Sequence, residues 1–232
     1  MIDVSCFVGA GPLVEPRLST PDHVESLLRK EGVTRAAVSS MAALFRSDPL
    51  ANDELIGLSD FFVPVPVVDP RWPSVRLDGC RAVRISPASH GYRAEEATAL
   101  RQTGVTLVVQ LRIADPRNLP PGLDLGQVDV ADVLALAHAA PHVPMIVAGA
   151  RVGELSAILG DSPASVLAEM SLAEEPDVLR RAVAAHGAHR LLVGTHAPFL
   201  TPAAARVKLA AARLTPADHE AVSSGNAERL GL

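Results

Sequence analysis

Arg84 and Arg112 stand inside apolar runs, with Ser86 two residues after the first and Gln110 two residues before the second. A guanidinium taken out of water needs an anion, so each arginine must meet a carboxylate of the protein, such as Asp3 or Asp115, or an anionic ligand. The forked donor set matches a carboxylate bidentately, which makes the two arginines a candidate clamp for a small carboxylated substrate. His196 and Asp3 are the candidate proton-transfer groups. In such a pocket His196 or Asp3 could take a proton while Arg84 or Arg112 stabilises developing negative charge. Ser5, Ser86 and Gln110 add neutral hydrogen-bonding groups, and His90 in Ser89-His90-Gly91-Tyr92 adds a second imidazole. The plainer alternative is a set of internal ion pairs, with His196 packed against a neighbouring loop.

These residues lie in or beside eight short apolar runs: Ile2 to Phe7, Ala36 to Ser40, Phe61 to Val68, Ala82 to Ser86, Val105 to Leu111, Val143 to Ala148, Ser165 to Glu169 and Leu191 to Gly194. Several are nearly continuous in apolar character, as in strands of a parallel sheet buried on both faces. Between them the pattern is helical. From Gln127 to His138, Val130, Val133, Leu134 and Ala137 fall on one stripe. Thr20-Pro21, Thr201-Pro202 and Thr215-Pro216 each read as a hydroxyl N-cap followed by Pro at the first helical position. The alternation predicts an α/β fold, a single (β/α)8 TIM barrel over residues 1–232 with a C-terminal helix, close to the roughly 250 residues usual for that fold. A doubly wound open sheet is the runner-up. Residues two apart share a strand face, so Asp3, Ser5 and Phe7 should point together, as should Arg84 with Ser86, Gln110 with Arg112, and Gly194 with His196.

The composition narrows the partners. With 48% hydrophobic residues the chain has a large core to bury, and with 3% aromatics it lacks the stacking platform of a single-strand nucleic-acid binder. A net charge of -5 without long charge runs argues against nucleic acid and a charged membrane surface, and no apolar run reaches the roughly 18 residues of a membrane span. Cys6 and Cys80, the only two cysteines, read as reduced thiols, and the expected location is cytoplasmic. A homodimer is left open. Gly9-Ala10-Gly11-Pro12 is not a dinucleotide loop, because the third glycine would fall at Val14. The pairs His138/His142 and His186/His189 are interrupted by Pro141 and Gly187, and read as solvent-facing rather than zinc-binding. Asp69-Pro70-Arg71-Trp72 and Asp115-Pro116-Arg117-Asn118 read first as turns, with Trp72 and Arg117 as entrance candidates.

Gly187-Ala188-His189-Arg190-Leu191-Leu192-Val193-Gly194-Thr195-His196-Ala197-Pro198-Phe199 resembles the G-x-D-R-I-L-F-G-T-D-x-P-F segment of the amidohydrolase-related barrels. Ser224-Gly225-Asn226-Ala227-Glu228-Arg229-Leu230 is similar to their closing N-A-x-R-L, and Met1-Ile2-Asp3-Val4-Ser5-Cys6-Phe7-Val8-Gly9 falls where they carry I-D-x-H-x-H-x-G. Gly32 to Val38 and Val67-Val68-Asp69-Pro70 are similar to their second-strand and third-strand segments. The resemblance implies a TIM barrel and a divalent metal held after strands one, five, six and eight. At those places stand Ser5 and Phe7, Gln110, Ala148 or Gly149, and His196. One imidazole is too few for a catalytic zinc, so the expectation is no metal and no cofactor. Some barrels of this kind hydrolyse lactones with arginines and an aspartate alone. The first expectation from the resemblance is therefore a metal-independent, amidohydrolase-like hydrolase of a small carboxylated, anionic substrate, a lactone, ester or amide whose carbonyl water attacks with His196 or Asp3 as base. The alternatives are a non-catalytic binding or regulatory barrel, and a metal-dependent hydrolase or decarboxylase with a site rearranged around His196 and His90.

Overall fold

The computed structural model describes residues 1–46, 49–69, 79–87, 94–101, 103–115, 117, 119, 128–175 and 177–232. His90 and Trp72, named above as site and entrance candidates, lie outside the described residues. All eight expected strands are present: β1 Ile2–Val8, β2 Arg35–Ser40, β3 Phe62–Pro64, β4 Ala82–Ile85, β5 Thr106–Gln110, β6 Met145–Ala148, β7 Val166–Glu169 and β8 Leu191–Leu192. Each pairs in parallel with the next within β1–β3 and within β4–β8.

Two seams join these sheets. Beyond β3, Arg84 N donates to Pro66 O and Val68 N to Arg84 O, both at 2.8 Å. Regular pairing of β3 stops early because Pro64 and Pro66 bring no N–H to a ladder. Beyond β8, Val4 N donates to Val193 O, His196 N to Ser5 O and Phe7 N to Ala197 O. The strands thus follow one another in cyclic order, and the fold is the (β/α)8 arrangement rather than the open doubly wound sheet.

One apolar cluster draws on seven strands and on the residue directly after β3, through Val4, Ala37, Val65, Ala82, Val108, Ile146, Leu167 and Leu192, with Val63 of β3 packed against it. Only the inside of a ring allows that. Two residues further along, the inward positions turn polar: Ala37 is followed by Ser39, Ala82 by Arg84, Val108 by Gln110 and Leu167 by Glu169. The interior therefore has an apolar floor and a polar layer at the carboxyl ends of the strands, where this fold builds its sites.

The helices sit outside, as their caps direct. Thr20 Oγ1 accepts from His23 N at the start of α1, Pro21–Lys30, and α2 is Met41–Arg46. After α3, Ala94–Arg101, Asp129 accepts from Ala131 N and opens α4, Val130–Ala139, three residues later than the sequence suggested at the start. Then follow α5, Val152–Asp161, and α6, Val178–His186. The Thr201-Pro202 expectation is corrected: Pro202 itself precedes α7, Ala203–Ala211, without a side-chain cap. Thr215 caps α8, Pro216–Glu220, by accepting from Asp218 N. No helix of the described residues is long and apolar enough to cross a membrane.

The closing Asn-Ala segment is a structural tie. Asn226, fully buried in α9 (Asn226–Arg229), donates to Ala188 O at 2.8 Å and Leu191 O at 2.7 Å, fastening the last helix to the foot of β8. Asn226→Ala removes both bonds, although Ala188 O still accepts from Leu191 N, and chemical denaturation should show a loss of about 1–3 kcal/mol.

Candidate functional site

The polar layer centres on Arg84, which is 0% exposed. Its Nε donates to Ser39 Oγ at 2.9 Å and its Nη1 to Ser5 Oγ at 3.2 Å and to Gln110 Oε1. The Phe7 ring lies 4.8 Å from the guanidinium carbon, a cation–π contact. Nη2 is buried and has no hydrogen-bond partner among the described residues. Burial pulls the Arg84 pKa down to about 10, against the opposing charges of Glu169, Cys6 and Asp3, so the group remains a cation at neutral pH.

Gln110 is fixed in orientation, since its Oε1 takes Arg84 while its Nε2 donates to Arg112 O at 2.6 Å. That Nε2 also lies 3.3 Å from His196 Nε2. Nδ1 of His196 faces Ile113 O at 3.1 Å, and Nε2 faces Glu169 Oε1 at 3.1 Å. Both ring nitrogens are thus engaged, Nδ1 by a carbonyl and Nε2 by Glu169 and Gln110. Glu169 is fully buried, which by itself would raise its pKa. The charge and hydrogen bond of His196, with bonds from Gly149 N and Ser171 N, hold it instead near 2. Gly194 makes room for this carboxylate, because a Cβ there would fall 2.1 Å from Glu169 Oε2. His196 itself has a φ of 52°, in the left-handed region. A side chain held in that region signals local strain, and such strain clusters at functional sites.

Several expectations are corrected here. The register shift between Asp3 and Cys6 breaks the alternation of β1, so Ser5 reaches Arg84 and Phe7 packs beneath it while Asp3 turns to Thr195. Asp3 Oδ1 accepts from Ser5 N and Thr195 N, and Oδ2 from Thr195 Oγ1 at 2.5 Å, fastening β1 to the segment after β8. Burial raises Asp3 to about 6, against the hydrogen bonds from Thr195 and Ser5. Arg112 lies beyond the end of β5, where strand parity no longer holds, and forms a two-pronged ion pair with Glu154 while also donating to Gly149 O. Its partner is therefore neither Asp3 nor Asp115, and the two-arginine clamp is not formed. Asp115 accepts from Arg117 N, Nε and Nη2, the local turn expected for that motif. These bonds hold Asp115 below the usual carboxylate range. Arg112, Asp115, Arg117, Arg151 and Leu172 line a cavity of about 480 Å³ beside the barrel mouth. Ser86, two residues past Arg84, is buried.

Glu169, Ser39 and Glu154 were missed from sequence. Strand parity held the signal for Glu169, a charge two residues beyond inward Leu167; nothing local marked Glu154, which meets Arg112 from α5.

No protein-family model matches the sequence, and no curated protein matches it. Solved structures do. The structure is similar to that of 2,6-dihydroxybenzoate decarboxylase complexed with 2,6-dihydroxybenzoate, at 16% identity and TM-score 0.73 over 98% of each chain. It is also similar to a dihydroxybenzoic acid decarboxylase from Polaromonas sp. JS666 with bound manganese, at 15% identity and TM-score 0.72 over 99% of this chain and 96% of that one. A third similar structure is amidohydrolase II, at 15% identity and TM-score 0.65 over 99% and 98%. The fold is that of the amidohydrolase-related TIM barrels. The described residues of this barrel do not fit a divalent cation. Arg84 fills the polar layer with positive charge, and Gly149 admits no side chain, since a Cβ would lie 2.1 Å from Arg112 O. Among the described residues no group of three or more His, Cys, Asp or Glu side chains could hold a metal ion.

Proposed function

We propose that this chain is a divergent amidohydrolase-like barrel that receives a small carboxylated molecule at the carboxyl end of its strands without a divalent cation. The reading rests on one observation: Arg84, a fully buried cation inside the polar layer, keeps an unpartnered Nη2. A buried donor without a partner is costly and rare, and an anionic oxygen would satisfy it. Two of the similar proteins are named for carboxylated rings, 2,6-dihydroxybenzoate and dihydroxybenzoic acid, which supports the same ligand class.

Hydrolysis of a lactone, ester or amide in such a molecule is the second reading, favoured by the strained His196 held against Glu169. Water would add to the carbonyl carbon, the bond to the leaving group would break, and His196 would carry the proton from water to the leaving group. For that step a neutral ring must turn one nitrogen from Ile113 O or Glu169 to the water, because both nitrogens are engaged. Asp3 is the weaker base, since Ser5 and Thr195 occupy both of its oxygens.

Calorimetric titration with benzoate and with benzamide tests the binding reading. Benzoate is expected to bind with a Kd below about 1 mM and benzamide at least about ten-fold more weakly. Equal binding of the two, or binding of neither, removes it.

A further inference from the structure

We propose that the Arg84 guanidinium is the built-in cation of this barrel, joining the side chains at two of the positions where the resemblance puts metal ligands and presenting Nη2 alone to an incoming anion. The inference deepens the carboxylate reading and rests on it for the ligand.

The first support is the set of partners. Nη1 binds Ser5 Oγ of β1 and Gln110 Oε1 of β5, and Nε binds Ser39 Oγ of β2. Three strands are thus drawn together by one positive group, as a coordinated ion would draw them. Ser39 Oγ donates its own proton to Val65 O at 2.7 Å, which leaves its lone pairs for Arg84 and adds the chain after β3 to the same network.

The second support is the balance of charge. All three acceptors are neutral, and among the described residues no carboxylate lies within ion-pair distance of Arg84. Glu169 and Asp3 act on it only at longer range, and each is occupied by other donors. A buried guanidinium without a contacting carboxylate favours an anion and repels a second cation.

The third support is geometric. With Nε and Nη1 engaged, a ligand oxygen meets Arg84 through one nitrogen, not through a two-pronged fork. The Phe7 ring covers one side of the guanidinium, and its edge-to-face contacts with His196 at 5.7 Å and Phe199 at 5.3 Å fix that ring in place.

The test uses the full chain as wild type, Arg84→Ala and Arg84→Met, the last filling the space with an apolar side chain should the alanine variant not fold. Benzoate binding is measured by calorimetry, melting temperature with and without millimolar methylguanidinium, and Mn²⁺ and Zn²⁺ binding to wild type by titration and elemental analysis. Both variants are expected to lose at least about ten-fold in benzoate affinity. Methylguanidinium is expected to raise the melting temperature of Arg84→Ala and not that of wild type. Wild type should take up neither metal stoichiometrically. Stoichiometric Mn²⁺ or Zn²⁺ in wild type overturns the assignment. So does an Arg84→Met variant that binds benzoate as wild type does, and that result leaves the carboxylate reading intact. If wild type ignores benzoate while methylguanidinium still rescues Arg84→Ala, the carboxylate reading fails and the built-in cation stands.

Discussion

Glu169→Ala is expected to lower folding stability by about 3–5 kcal/mol, the usual effect of removing one partner of a buried charge pair. The substitution withdraws the acceptor facing His196 Nε2, and with it the partners of Gly149 N, Ser171 N and Ser171 Oγ. Each orphaned buried donor adds about 1–3 kcal/mol, tempered because a neutral His196 ring could accept from Gln110 Nε2 at 3.3 Å. Since whole domains are stable by only about 5–15 kcal/mol, this is a large fraction. The pH dependence supplies the sign. The Glu169 carboxyl is held near 2 in the folded chain, below its ordinary value of 4.5. Its contribution is therefore complete above about 4.5 and is lost as pH falls toward 2. Urea midpoints of wild type and Glu169→Gln between pH 6 and pH 3 should converge on acidification. A constant difference across that range would remove the ionic role.

Gly149→Ala should be at least as damaging. The residue has a φ of +74°, and the added Cβ would lie 2.1 Å from Arg112 O and 3.0 Å from Gln110 Nε2. The left-handed conformation costs an alanine about 1–2 kcal/mol. The clash is with backbone, so relief requires the ends of β5 and β6 to separate. That movement takes Gly149 N from Glu169 and Gly149 O from Arg112. A loss of more than about 4 kcal/mol is expected, seen as a collapse of soluble yield or of the denaturation midpoint. Gly153→Ala, whose Cβ would meet nothing within 4 Å, is the control and should behave nearly as wild type.

The barrel was legible because its signals are local. Short apolar runs, several of them nearly continuous, marked all eight strands, and Thr20 and Thr215 marked two helix starts through their own hydroxyls. Arg84, Gln110, Ser5 and His196 were named as candidates because strand parity places them on one face, and the structure gathers their side chains in one layer. What failed depended on partners far along the chain or on one irregular residue. Arg112 pairs with Glu154, 42 residues away, a contact that no periodicity encodes. Asp3 followed the alternation rule into the wrong direction because the register shift in β1 leaves no mark in an apolar run. His196 was a candidate proton-transfer group on sequence, whereas its engagement with Glu169 and Ile113 O is a property of the assembled ring.

The seam fastened by Asp3 and Thr195 joins residues 192 positions apart. A chain emerging from the ribosome therefore has β1 ready long before its neighbour exists, and main-chain groups along that edge wait unpaired until β8 is made. Contacts of such long sequence separation slow folding. β8 must be made before the circle can shut, which leaves β1 as the segment most in need of shelter while the strands between them are translated.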